Sequence, residues 1–386
     1  MEYFNVSKLA RNRKELSRKI LIIGGKAWSI VNFRGSLIKK LIEKGYEVTA
    51  IASEATSLDL KKIKNLGARY LNIDLKSNTV SVFKDISYFF ALKNIILKLS
   101  PDIIISYTMK PVIYSGLVIF FQKKINFYPL ITGLGSIFNT NKIILYPVKI
   151  ILIFLCKILL RNAKTIIFQN RDNLKYFNNC GIAPKVKKII ISGSGVDINH
   201  FNVQPFNKKN ITFLLIARLL RDKGIIEYIE AAKIIKSKIK DINFNLVGPK
   251  DNSYNKVDFN FILKNHNEGI INYFGQKKNV KPFITKCHVY VLPSYHEGLP
   301  RSVLEAMSMG RPILTTNVPG CKETVLNNKN GFLVPSKNVR VLVKKMTWFI
   351  NNRKEIFKMG KKSRYLVEEK FTYKKINEKF IKLFSN

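Results

Sequence analysis

The stretch Ser294-Tyr295-His296-Glu297-Gly298-Leu299-Pro300-Arg301-Ser302-Val303-Leu304-Glu305-Ala306-Met307 sets two carboxylates, Glu297 and Glu305, on either side of seven residues. Before it, His288-Val289-Tyr290-Val291-Leu292-Pro293 is an apolar run ending on proline, the pattern of a buried strand with a stop signal. After it, a short helical pattern closes at Gly310, with Pro312 beyond, and neither residue continues a helix. The order is strand, loop, helix, with Glu297 in the loop and Glu305 on the helix. Pro300 falls near the helix start, where its missing N–H costs little. The first-turn N–H groups of Arg301 to Val303 should then face the crevice at the strand's carboxyl end, where open α/β sheets bind ligands. A helix N-terminus of this kind is an anion site. Either glutamate alone would also fit an ordinary solvated charge.

Working outward, Ile211 to Ala217 reads as a strand, and Arg218-Leu219-Leu220-Arg221-Asp222-Lys223-Gly224 leads into a helix from Ile225 to Ser237. Further strands are expected at Asn243–Val247, Ile271–Phe274, Pro312–Thr316 and Gly331–Val334, followed by a basic helical region from Asn338 onward. Arg218 and Lys223 fall in a strand-to-helix loop, from which both can face the same crevice as Glu297. A planar fork and a point charge both suit a diphosphate. In so basic a chain they also fit as isolated surface cations.

The first half alternates in the same way. Lys19 to Ile23 leads into Gly24-Gly25, a helix pattern runs from Asn32 to Lys44, and Glu47 to Ala52 reads as a second strand. The glycine pair lets backbone approach a ligand, or it is a plain turn. It is not a full G-x-G-x-x-G, and no acid is placed for a dinucleotide ribose, which argues against a nicotinamide cofactor. Strands at Arg69–Ile73, Asp102–Tyr107, Phe127–Ile131, Ile166–Asn170 and Ile189–Ser192, separated by helices, predict a parallel sheet covered on both faces. One helix differs. Ile143 to Leu160 is almost wholly apolar, but Pro147, Lys149 and Lys157 count against a membrane span. The lysines at 142, 149, 157 and 164 share one helical stripe. That suits a membrane interface, or an outer helix with one wet edge.

These patterns divide the chain into a basic arm over 1–18, a Rossmann-like unit over 19–198, a linker over 199–210, a second such unit over 211–365 and a C-terminal helix over 366–386. A length of 386 residues fits two domains, and 46% hydrophobic residues fit a globular protein. The formal charge of +42, from 67 Lys and Arg against 25 Asp and Glu, attracts polyanions. Four cysteines without a close pair argue against a disulfide framework and for a reducing compartment. Four scattered histidines and the lack of any Asp-x-Asp leave no metal site in view, so neither metal nor cofactor is expected. The N-terminus lacks the apolar core of a signal peptide.

The two-glutamate string, with Gly298-Leu299-Pro300 and Leu304-Glu305-Ala306-Met307 around it, resembles the signature of the retaining glycosyltransferases of family 4. Ala217-Arg218 and Lys223-Gly224 match where that family places its phosphate-binding cations. Val31-Asn32-Phe33-Arg34, Thr108-Met109-Lys110-Pro111, Thr132-Gly133-Leu134-Gly135, Phe168-Gln169-Asn170 and Gly193-Ser194-Gly195-Val196-Asp197 resemble one branch of it, which extends undecaprenyl-diphosphate-linked sugars, for instance from UDP-N-acetylgalactosamine. The resemblance implies an α/β fold of the GT-B class, two Rossmann-like domains facing a cleft, with the C-terminal helix returning to the first. It implies that Arg218 and Lys223 hold the donor diphosphate, Glu297 the donor sugar and Glu305 the nucleotide ribose. Gly298, Leu299 and Val303 would touch sugar and phosphate through backbone, and Gly24 and Gly25 would close over the donor. Asn32, Arg34, Lys110, Thr132 and Gly133 would lie on the acceptor side, although many members carry a histidine where this chain has Thr132-Gly133. The implied reaction is metal-independent transfer of a hexose or N-acetylhexosamine from a nucleotide sugar, with retention, to a lipid-linked or glycan acceptor. Glu297→Ala and Arg218→Ala should then abolish transfer with the fold intact. An epimerase of the same fold and a basic module binding anionic membrane or nucleic acid are the competing readings. The two-glutamate string favours transfer, and without a nucleic-acid fold signature no nucleic-acid partner is expected. The charge and the lysine stripe suggest a peripheral protein on the inner, cytoplasmic face of a membrane.

Overall fold

The computed structural model describes residues 18–75, 82–122, 124–134, 146–206 and 210–385. Expectations that fall on residues 1–17, on Gly135 and Ser136, on residues 141–145 or on residues 207–209 lie outside them. Chain contacts group the molecule into two units, one reaching Ile191 and including the chain from Asn377, the other spanning Ser192–Ile376.

The first unit is built from β1 (Lys19–Lys26), α1 (Ala27–Glu43), β2 (Glu47–Ser53), α2 (Ser57–Asn65), β3 (Arg69–Asn72), α3 (Val82–Leu99) and β4 (Ile103–Tyr107). It continues with α4 (Met109–Phe120), β5 (Asn126–Ile131), α5 (Tyr146–Leu159), β6 (Ile166–Phe168), α6 (Arg171–Asn179) and β7 (Lys188–Ile190). Its sheet has the order β3-β2-β1-β4-β5-β6-β7, and every pairing is parallel. Ile20 to Ile23 and Ile103 to Ile105 are buried on both faces of the sheet, which is why these strands read as continuous apolar runs rather than alternating ones.

Two local expectations are corrected. Gly24 and Gly25 do not follow the strand but lie within it, just before its last residue, Lys26. Ile23 pairs with Ile51 and Lys26 with Ser53, so a bulge absorbs one extra residue in β1. The helix then starts at Ala27 rather than Asn32, because Ala27 and Ile30 both bury into the core. On α5, Cys156 and Leu159 face inward, while Tyr146, Val148, Ile150, Ile151 and Phe154 are exposed. No helix among the described residues is long and apolar enough to cross a membrane.

The second unit comprises β8 (Thr212–Ile216), α7 (Ile225–Lys236), β9 (Asn243–Val247), α8 (Phe259–Asn267), β10 (Asn272–Tyr273), α9 (Lys281–Lys286) and β11 (Val289–Leu292). It is completed by α10 (Arg301–Ser308), β12 (Ile313–Thr316), β13 (Gly331–Val334), α11 (Val339–Asn351) and α12 (Arg353–Lys370). Its sheet order is β10-β9-β8-β11-β12-β13, again parallel throughout. Residues 192–206 belong to this unit. Val196 accepts from Tyr373 N and donates to Phe371 O, and its side chain is buried with Phe201 in the core. The last helix, α13 (Tyr373–Ser385), starts in the second unit and is counted with the first from Asn377. There Asn377 Nδ2 donates to Ser36 Oγ at 2.7 Å, and the Phe384 ring meets that of Tyr128 at 5.0 Å.

Candidate active site

In the second sheet, β9 and β10 extend from one side of β8, and β11, β12 and β13 lie on the other. The strand order therefore reverses between β8 and β11, and the carboxyl ends of those strands are where such a sheet binds ligands. The loops leaving them carry the two sequence clues, Arg218 to Lys223 after β8 and Glu297 after β11.

Those clues meet. Lys223 Nζ lies 2.6 Å from Glu297 Oε1, and the two side chains are only 17% and 16% exposed. Ser294 Oγ is 3.0 Å from the same carboxylate oxygen and 2.9 Å from the Asp222 carbonyl. The Glu297 N–H donates to Pro319 O, Tyr295 N–H donates to Asp222 O, and Thr316 Oγ1 donates to Ser294 O. The loop is thus tied on both sides before any substrate arrives. Burial alone would depress the Lys223 pKa, but the adjacent Glu297 carboxylate, with the Asp222 charge beyond it, outweighs both burial and the repulsion from Arg218. The amine therefore stays above the ordinary lysine value and remains a cation. Tyr295 adds a further brace, donating its hydroxyl to Glu227 on α7.

Glu305 stands on α10, as expected, and is 9% exposed. Arg301 Nε donates to its Oε1 at 2.9 Å, one helical turn away, and Arg301 Nη2 reaches Tyr373 Oη at 2.9 Å. Burial pushes the Glu305 carboxyl above the usual glutamate value, while the Arg301 charge and hydrogen bond pull it back. The native state thus keeps the proton to higher pH than the unfolded chain. This contribution to stability is full below the ordinary value of 4.5 and is lost as pH rises through the raised native value. Glu305→Gln is expected to flatten that slope in urea midpoints measured at successive pH values.

Arg218 is less constrained, 58% exposed and paired with Asp251 at 3.0 Å. Pro300 precedes α10 in extended conformation, no side chain caps the helix, and its first turn holds no acid. The N–H groups of Arg301, Ser302 and Val303 therefore lack intrahelical partners. Gly298 and Leu299 lie in the loop leading to that turn, and Val303 is buried within it. Among the described residues no cluster of three or more His, Cys, Asp or Glu is arranged to hold a metal ion.

The remaining predicted residues belong to the first unit. Gly24 and Gly25 lie near the end of β1, and Asn32 donates to Trp28 O on α1. Arg34 is buried on the same helix. Lys110 Nζ pairs with Asp85 at 3.0 Å, and Thr132 and Gly133 follow β5 half-buried. Sequence reasoning missed Ser294, Thr316, Tyr295, Glu227 and Asp251. Ser294 and Tyr295 were in plain view beside Glu297, but the other three act across the fold and carry no local signal.

Residues 196–366 match the model for glycosyl transferases group 1, and residues 19–170 match that for glycosyl transferase 4-like domains. The chain is a glycosyltransferase. Its fold of two parallel-sheet α/β units is the GT-B class. The glycosyltransferase is 29% identical over 340 residues to the Campylobacter jejuni N,N'-diacetylbacillosaminyl-diphospho-undecaprenol alpha-1,3-N-acetylgalactosaminyltransferase, covering 84% of this chain and 88% of that one. It is 25% identical over 373 residues to the Staphylococcus aureus capsular polysaccharide biosynthesis glycosyltransferase CapM, covering 92% and 94%. Among solved structures, Anabaena HepE in complex with UDP superposes with a TM-score of 0.76 at 15% identity, covering 95% of this chain and 99% of that one.

Proposed function

We propose that this glycosyltransferase moves a hexose or N-acetylhexosamine from a UDP-sugar to a lipid-diphosphate-linked glycan, with retention and without a metal ion. The observation that carries the reading is the buried Lys223–Glu297 pair at the switch point, alongside an uncapped helix N-terminus. As the anomeric C–O bond breaks, its electron pair passes to the β-phosphate. Lys223, Arg218 and the N–H groups of Arg301 to Val303 stabilise the charge that forms there, the term that preorganised dipoles serve best. The acceptor hydroxyl attacks from the same face and gives its proton to a phosphate oxygen. Glu297 and Glu305 then act as binders of sugar and ribose, and no carboxylate nucleophile is required. Lys223 is fixed by its ion pair, whereas Arg218 is free to exchange Asp251 for a phosphate.

The exposed face of α5, with Lys157 at its end and a chain charge of +42, supports peripheral binding to the inner face of an anionic membrane. The relatives' lipid-linked substrates support the same location. The test is a thermal-shift and UDP-release screen with UDP-, GDP- and ADP-sugars in EDTA, using a short prenyl-diphosphate-sugar as acceptor. Acceptor-dependent release from one UDP-sugar is expected. Silence toward every nucleotide sugar would overturn the transferase reading, and loss of activity in EDTA would overturn its metal independence. Recovery wholly in the soluble fraction at low salt, without liposome binding, would sink the membrane location.

A further inference from the structure

Arg34 lies on α1 and is 2% exposed. Among the described residues its guanidinium makes no ion pair and no hydrogen bond, and its Nε is buried without a partner. Among the described residues the one neighbour that answers its charge is the Tyr107 ring, whose centroid lies 5.0 Å from the guanidinium carbon. Arg311, equally buried in the second unit, shows how this chain treats a structural arginine. Its guanidinium donates to the carbonyls of Ile284, Thr285 and Pro205. Arg34 has no such set. Burial lowers its pKa to about 10, so it is still a cation at neutral pH. An unpaired buried cation is costly, and stacking on one ring offsets only part of that cost.

Its position bears on the missing partner. Helical side chains lean toward the helix N-terminus, and α1 follows β1 directly, so Arg34 reaches back toward the carboxyl end of the sheet. Tyr107, beneath it, is the last residue of β4. Strands β2 and β3 lie on one side of β1 and β4 to β7 on the other, which makes the β1/β4 boundary this unit's own switch point. A side chain on Gly24 would come within 2.3 Å of the Tyr107 hydroxyl, so glycine there leaves room for the ring, whose hydroxyl bonds Ser29 Oγ at 2.8 Å. Thr108 follows with φ 67 and ψ 149, a strained conformation for a residue other than glycine. It opens the twelve-residue helix α4, which has neither a side-chain cap nor an acid in its first turn. An uncapped helix N-terminus and an unpaired buried guanidinium converge at one place.

We propose that this switch point is a second oxyanion site of the enzyme, taking a phosphate or diphosphate group on Arg34 and on the Met109 N–H at the start of α4. The proposal deepens the transferase reading and rests on it only for the source of that group, the diphosphate of a lipid-linked acceptor or that of the nucleotide sugar.

The full chain is titrated calorimetrically with UDP alone. With UDP saturating, it is then titrated with inorganic pyrophosphate and with a short prenyl-diphosphate-sugar. Arg34→Met keeps the bulk without the charge. It is expected to weaken pyrophosphate at least tenfold. Equal weakening of the prenyl diphosphate with UDP affinity unchanged assigns the site to the acceptor. Weakened UDP with the prenyl diphosphate unchanged assigns it to the donor. Where Arg34→Met does not fold by circular dichroism, Met109→Pro serves instead, since proline fits a first helical position while removing one N–H donor. It is expected to weaken pyrophosphate at least threefold. Unchanged pyrophosphate affinity in a folded Arg34→Met, or in Met109→Pro where that variant stands in, overturns the site. Failure of UDP to bind the wild-type chain speaks against the transferase reading instead, and the pyrophosphate titration then still reports on Arg34.

Discussion

Replacing Lys223 with methionine is expected to lower kcat by about 10²–10³-fold, the usual loss when one preorganised group facing transition-state charge is removed. The substitution also strands Glu297, whose side chain is 16% exposed and 2.6 Å from the lost amine. Breaking one partner of such a buried pair costs about 3–5 kcal/mol, because the remaining charge loses its counter-ion. The expectation that Glu297→Ala leaves the fold intact is therefore revised for the same reason. The double variant Lys223→Met with Glu297→Leu should recover most of the stability and none of the activity. Urea midpoints and single-turnover rates on the three proteins separate the two effects. A lone Lys223→Met that transfers at the wild-type rate would show that the amine serves only the fold.

Gly320→Ala is expected to be strongly damaging to the second unit's site. Gly320 has φ +83, and a side-chain carbon there would come within 2.3 Å of the Glu297 carbonyl oxygen and 2.7 Å of that of Gly298. Both are backbone atoms, and the Glu297 N–H is tied to Pro319 O next to Gly320, so the loop carrying Glu297 must move. A shift of about 1 Å at a catalytic constellation costs on the order of 10²-fold in rate. Gly269 is the control. Its φ is +70, yet nothing lies within 4 Å of the added carbon. Gly269→Ala should cost only the backbone term of roughly 1–2 kcal/mol and leave transfer unchanged. Equal activity in the two variants would mean that the loop tolerates the displacement.

Most of both sheets was legible because parallel strands buried on two faces leave unbroken apolar runs. Ile20 to Ile23 and Val289 to Leu292 are of this kind, and their periodicity fixed both the alternation and the strand ends where the site lies. Glu297 and Lys223 could be placed in loops after strands from local pattern alone. Their contact could not, since it joins residues 74 apart. The short helix α9 was missed, because six residues from Lys281 to Lys286 are too few to show a 3.6-residue period. The bulge at Gly24-Gly25 was not foreseen, since two glycines signal backbone freedom, for a ligand's approach or for a turn, without saying which use is made of it. The resemblance drew attention to Arg34, but its burial without a charged partner left no mark. Composition makes it one more cation among 67 Lys and Arg residues, and its buried state shows only in the fold.

The first unit is discontinuous, and this bears on the order in which the molecule matures. Asn377 bonds Ser36 across 341 positions, and Arg18 Nη1 donates to Phe384 O across 366. Contacts of such separation close late, because the entropy of bringing distant segments together must be met before they contribute. The second unit needs only the uninterrupted stretch Ser192–Ile376. On a ribosome, the half made first is therefore the half finished last. Until the α13 segment from Asn377 arrives, Tyr128 and Ser36 lack their native partners, and the nascent first sheet is the part of this enzyme that most needs a chaperone.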